Sequence, residues 1–119
     1  MSRRFRDLDE FWPFYVSQHL SRGNRILHFW GTTCGLLWLA AGLATGRCWT
    51  LAAGLGNAYA LAWIGHFFIE KNRPATFAYP LFSFRADFRM YALMWRGGME
   101  GEIARLKDEV RAYRLHGRS

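Results

Sequence analysis

Two stretches of the chain carry no charged side chain apart from one histidine each: Ile26 to Ala44, 19 residues, and Cys48 to Ile69, 22 residues. Only Thr45, Gly46 and Arg47 separate them. A helix rises 1.5 Å per residue, so each run makes a rod of about 30 Å, the thickness of a bilayer's hydrocarbon core. A chain of 119 residues is the size of one domain, and it has too little else to cover two rods that are apolar all round. The runs therefore predict an all-α, membrane-embedded helical hairpin within a single domain, 1–119. Its transmembrane segments are expected at about 25–45 and 48–69. A soluble bundle with two buried central helices is the weaker alternative. Glycines and alanines, among them Gly31, Gly35, Gly54 and Ala58, recur in both runs, and small residues let two helices approach closely in lipid.

The net charge of +7 suits nucleic acid or the anionic face of a membrane. Five basic residues precede the first run, ten follow the second, and Arg47 alone lies between. That asymmetry places both termini in the cytoplasm and the turn at Arg47 on the far side. The basic residues are spread over helix flanks, no recognised nucleic-acid motif is present, and 51% of the chain is apolar. The expected partners are thus membrane lipids and not nucleic acid. The two cysteines, Cys34 and Cys48, lack the spacing of a zinc knuckle or a disulfide scaffold. The basic start leads into Asp7-Leu-Asp-Glu10, so no signal peptide is expected.

Amphipathic helices are expected on either side of the hairpin, at about 9–20, 82–96 and 99–115. Phe11, Tyr15 and His19 recur every four residues in the first. Pro13 is tolerable in a first turn, which puts the start of that helix between Asp9 and Trp12. Gly23 then ends one helix and Asn24 caps the next. Phe84, Phe88, Tyr91 and Trp95 mark the second amphipathic helix, and Ile103, Leu106, Val110 and Tyr113 the third. Such helices lie on a membrane surface or pair with another copy. Two transmembrane helices make a thin wall around any bound ion, which suits a homodimer.

Folding the hairpin at Arg47 sets His28, 19 residues before it, level with His66, 19 residues after it. Asn24 and Glu70 face each other one turn further out. His19 ends the preceding helix just outside the same boundary, so three imidazoles converge at one membrane face. Intramembrane ionisable groups face one another or a cavity, and imidazole is a ligand for iron, zinc, copper and nickel. Glu70, four residues past His66, can ligate the metal or hold the far ring nitrogen. His116 sits in a polar tail and is expected to be solvated.

"FYVSQHLSRGNRILHFWGT", "AWIGHFFIEKNRPATFAYP" and "DFRMY" together resemble the small bacterial branch of the fungal-type 2-hydroxy fatty acid dioxygenases. The resemblance covers roughly residues 11 to 95. It rests on H-x8-H with an asparagine four before the second histidine, and on GHxxxEKxRPA. It implies a membrane-embedded, Fe(II)-dependent enzyme of fatty acid α-oxidation that shortens a 2-hydroxy fatty acid by one carbon. It also implies His19, His28 and His66 as catalytic, metal-binding residues. Arg73, Asn24 and Arg25 are candidates for holding the head group of the fatty acyl substrate. Imidazoles serve zinc as well as iron. The alternative is a non-enzymatic membrane interaction protein whose histidines bridge two helices.

Overall fold

A computed structural model describes residues 5–116, with side chains as far as Arg114; the first four residues and the His116 side chain lie outside the described part. Within it are six α-helices and no strand, so the all-α class stands. They are α1 (Leu8–Ser17), α2 (Arg22–Thr45), α3 (Trp49–Ile64), α4 (Pro80–Trp95), α5 (Met99–Arg105) and α6 (Lys107–His116). A π-helical turn, Gly65–Glu70, follows α3, and a short 3-10 turn, Ala75–Phe77, precedes α4. The chain forms two compact units, Ser21–Lys71 and the flanking segments up to Leu20 and from Asn72 onward.

The Ser21–Lys71 unit is a helical hairpin. Its α2 starts at Arg22, with Ser21 as the cap residue, so Asn24 stands inside the first turn and not at the cap where the sequence suggested it. The chain reverses at Gly46, whose φ of +72° is a left-handed conformation that glycine adopts without strain. The Gly46 N–H closes the helix on the Gly42 carbonyl at 2.7 Å. The Thr50 hydroxyl donates to the Arg47 carbonyl at 2.8 Å and steadies the start of α3. The helices pack antiparallel along a seam of small residues. A Cβ on Gly31 would lie 3.0 Å from the Ala58 carbonyl, and one on Gly54 would lie 2.9 Å from the Cβ of Trp38. Gly31-Thr-Thr-Cys-Gly35 has the spacing that brings helix backbones together in lipid.

The helix expected to reach Ile69 ends instead at Ile64, where the π turn takes over, and Lys71 closes that turn with a φ of +62°. One described helix, α2, is long and apolar enough to cross a membrane; α3, with 16 residues, is too short alone. The outer faces of both are apolar and open, with Leu37 65% and Leu43 79% exposed.

The other unit is built around α1. Asp7 caps it, accepting from the Glu10 N–H at 2.9 Å, which starts the helix at Leu8, earlier than Pro13 suggested. Pro13 therefore stands within the second turn and withholds one backbone bond. Packing holds the helix in spite of that. Phe11, Trp12, Pro13, Phe14, Tyr15 and Val16 are all buried, so α1 is enclosed all round rather than amphipathic. Phe14 meets Tyr113 of α6 with ring centroids at 5.5 Å, and Phe11 stacks on Phe82 of α4 at 5.5 Å. The Trp12 Nε1–H donates to Glu102 Oε1 at 2.8 Å.

The third expected amphipathic helix is interrupted at Leu106 into α5 and α6, and its stripe turns inward, with Leu106 and Val110 buried. In α4 the buried face is Ser83, Ala86 and Met90. The aromatic stripe of Phe84, Phe88 and Trp95 faces outward, with Trp95 67% exposed.

Candidate metal centre

Among the described residues three histidines are buried, His19, His28 and His66. Each is held by its own local device. His19 follows the end of α1, where its backbone N–H bonds the Val16 carbonyl at 3.0 Å. Its ring stacks on Tyr15, centroids 4.0 Å apart and planes 18° apart, and its Nδ1 lies 2.7 Å from the Tyr15 carbonyl. His28, in the second turn of α2, places Nδ1 3.0 Å from the Asn24 carbonyl. A carbonyl oxygen only accepts, so in both rings Nδ1 carries the proton. Nε2 is then left with its lone pair, the form in which imidazole binds metals.

His66 lies in the π turn, edge-on to His28, with ring centroids 5.0 Å apart and planes at 86°. Counting outward from Arg47 sets the two residues level, but the hairpin is offset. Gly31 faces Ala58 and Gly35 faces Gly54. Continued outward, that register sets Leu61 across from His28 and leaves His66 five residues further along, about 7 Å in an α-helix. The rings meet nevertheless, because side chains lean toward the N-terminus of their own helix. In an antiparallel pair the two leans are opposed, so His28 and His66 reach toward each other. The wide π turn shortens the remaining gap by advancing less per residue.

One ring nitrogen from each of His19, His28 and His66 lies within 4.8 Å of the others. Three imidazoles with two of their Nδ1 atoms already tied to carbonyls make a nitrogen donor set that fits a divalent transition metal.

Glu70 meets the start of α2. Its Oε1 accepts from the Ser21 N–H at 2.5 Å and lies 3.5 Å from Asn24 Nδ2. It thus caps the start of α2, as a third-position glutamate does in a capping box, but from the far side of the hairpin. The effect on the histidines is indirect: Glu70 holds Asn24, and the Asn24 carbonyl holds His28. Gly65 belongs to the same contact, since a Cβ there would collide with the Asn24 carboxamide and lie 3.2 Å from the Asn24 Cα.

The head-group candidates divide. Asn24 and Arg25 are buried, Arg25 one turn before His28. Arg73 is exposed, with its guanidinium 5.7 Å from the Phe77 ring centroid and its carbonyl accepting from Gln18 Nε2 at 3.3 Å.

Asp87 opens the DFRMY segment, to which the sequence assigned no role, and it receives the Tyr15 hydroxyl hydrogen bond across 72 residues. Burial pushes its carboxyl up to about 7, against the lowering effect of that bond. Beside it on α4, Arg89 lies over the Trp12 ring at 4.6 Å and pairs with Asp9 at 3.1 Å.

A family model described as 2-hydroxy-palmitic acid dioxygenase Mpo1-like matches residues 5–99. No curated protein and no solved structure matches the chain.

Proposed function

The chain belongs to the 2-hydroxy-palmitic acid dioxygenase Mpo1-like family, and on that basis we propose that it is an Fe(II)-dependent dioxygenase of 2-hydroxy fatty acids, working at the cytoplasmic face of a membrane. The observation that carries the reading is the group of three buried histidines with ring nitrogens within 4.8 Å of one another. His19, His28 and His66 would hold the ion through one nitrogen each. Iron, when bound, supplies the open coordination positions and the redox chemistry that a dioxygenase needs. Zinc satisfies the same donors but brings no redox chemistry, so the family's activity favours iron.

The overall reaction balances with oxygen alone: RCH(OH)COOH + O2 gives RCOOH, CO2 and H2O. The carbon skeleton loses four electrons and O2 takes them up, so no further reductant is consumed. In this reading Arg25, buried one turn before His28, binds the substrate carboxylate through paired N–H donors. The tyrosine and asparagine carbonyls fix the imidazole protons on Nδ1. That keeps those protons away from the reacting centre.

The acyl chain remains in lipid alongside the open apolar faces of α2 and α3. Only 11% of the most apolar window of α2 is buried, which a core helix of a soluble protein would not tolerate. The hairpin spans the bilayer twice when the π turn is counted with α3. Both termini then face the cytoplasm, and the outward aromatic stripe of α4 rests in the lipid interface.

The test is iron content and oxygen uptake of the detergent-purified protein. Wild type is expected to hold close to one iron per chain and to consume O2 with 2-hydroxypalmitate, releasing pentadecanoate. His66→Ala should do neither. Negligible iron in both proteins would remove the metal centre, and iron retention with no oxygen uptake across chain lengths would remove the dioxygenase.

A further inference from the structure

His19 is the one candidate ligand outside the hairpin, and it sits just beyond the end of α1, where its backbone N–H still bonds the Val16 carbonyl at 3.0 Å. Two contacts on its ring come from one residue. The Tyr15 carbonyl accepts a hydrogen bond from Nδ1 at 2.7 Å, and the Tyr15 ring lies against the imidazole at 4.0 Å between centroids. Tyr15 is therefore both the hydrogen-bond partner of His19 and its backing plate. The Tyr15 ring is in turn nearly parallel to Trp12, at 14° and 5.5 Å, and Trp12 is held by Glu102 and covered by Arg89.

A stack of rings sets distance but leaves each ring free to slide or tilt. The phenol hydroxyl removes that freedom at one point, because it donates to Asp87 of α4. Asp87 lies one position from the buried Ala86 and three from the buried Met90. Its backbone is thus fixed by the core of the same compact unit. Aspartate is also short, with few rotamers to lose, so it makes a stiff anchor.

We propose that Tyr15 and Asp87 are a positioning pair for His19: Asp87 pins the phenol, and the pinned Tyr15 fixes the imidazole plane and keeps its Nε2 available to a metal. This rests on the metal-centre reading above. Neither residue touches substrate or metal in this scheme, and both act through His19. Ligand orientation supplied in this way is commonly worth about 10- to 100-fold in metal affinity.

The test uses Co(II) alone as the probe, titrated into metal-free protein in detergent and followed by its visible absorption. A second readout is the 15N spectrum of the histidine rings in the metal-free protein, which reports where each ring proton resides. Tyr15→Phe keeps the stack and the carbonyl but loses the anchor. Asp87→Ala removes the acceptor, and Asp87→Asn keeps an acceptor oxygen. Met90→Ala disturbs the same helix without touching the pair.

Tyr15→Phe and Asp87→Ala are expected to weaken Co(II) binding at least about 10-fold and to mix the His19 ring tautomers. Asp87→Asn should stay near wild type. Met90→Ala should lower the melting temperature and leave Co(II) affinity and the ring spectrum unchanged. Wild-type behaviour of Tyr15→Phe and Asp87→Ala in both readouts would overturn the proposal, as would an equal loss of affinity in Met90→Ala. If wild type takes up no Co(II), the metal centre falls. The ring spectra then decide the pair by themselves, and an unchanged His19 signal in both variants would overturn it.

Discussion

Gly65→Ala is the smallest change that tests how the hairpin holds its histidines. The added Cβ would run into the Asn24 carboxamide, and it would also stand 2.9 Å from Asn24 Cγ and 3.2 Å from Asn24 Cα. Rotating the asparagine side chain relieves the first two contacts but not the third, so the α2 backbone must move. Forcing a methyl into a packed contact costs about 1–3 kcal/mol. Replacing glycine by alanine in a helix recovers about 0.5–1 kcal/mol. The net expectation is a loss of about 1–2 kcal/mol, or about 4–8 °C in melting temperature for a chain of this size. Because the Asn24 carbonyl holds His28 Nδ1, metal affinity should fall as well, by about 10-fold or more. Gly56→Ala is the control, since a Cβ there meets nothing within 4 Å, and it should be neutral or stabilising. Thermal unfolding in detergent with a parallel Co(II) titration measures both effects. Equal melting temperatures and affinities for the two alanine variants would refute the close approach of Gly65 to Asn24.

Glu70→Gln keeps an acceptor for the Ser21 N–H but gives up the charge, so it should lose less stability than Glu70→Ala, for which the loss is about 1.5–3 kcal/mol by chemical denaturation; no loss in either would show that the capping bond contributes nothing. Gly31→Leu should separate α2 from α3 and lower the melting temperature more than Gly56→Leu, because the Gly31 position faces the Ala58 backbone. Asp87 gives a pH signature. Its folded-state pKa is raised from 3.8 to about 7 by burial, so the folded chain keeps a proton that the unfolded chain releases. Its contribution to stability is complete below about pH 4 and is lost as pH climbs toward 7. Asp87→Asn should remove that decline, so unfolding midpoints of variant and wild type should diverge between pH 4 and pH 8, with the variant ahead at the alkaline end.

The histidine cluster was legible in the sequence for a reason that tolerates error. Mirror counting about Arg47 gives the wrong register, since the facing pairs Gly31–Ala58 and Gly35–Gly54 centre the hairpin nearer Thr45. Opposed side-chain lean absorbs an offset of several residues, so the rings still meet. Glu70 shows what such counting leaves out. Asn24 and Glu70 do face each other, at 3.5 Å. The wider turn formed by residues 65–70 also brings the carboxylate to the Ser21 N–H, a contact that a spacing of four does not suggest.

Orientation was the harder matter in the flanking helices. Six consecutive residues, Phe11 to Val16, are apolar or aromatic, which already indicates burial on every side and not a one-faced helix. In α4 large apolar residues occupy too many positions, among them Phe82, Phe84, Phe88 and Met90, for periodicity to pick a face. The core takes the face with the small residues Ser83 and Ala86, because that face lets α4 approach α1 closely. Phe84, Phe88 and Trp95 are left outside, while Phe82 stacks on Phe11. In water that arrangement would expose a hydrophobic stripe with nothing to cover it, whereas at a lipid interface the stripe is the part that binds. The choice of inner face and the membrane reading therefore support each other. Replacing Phe84, Phe88 and Trp95 together by serine should leave the unfolding midpoint in detergent nearly unchanged, yet weaken attachment of the flanking helices to vesicles, read as faster proteolysis of α4 on the vesicle surface. A variant that unfolds earlier while its protease protection stays intact would mean the stripe belongs to a protein core after all.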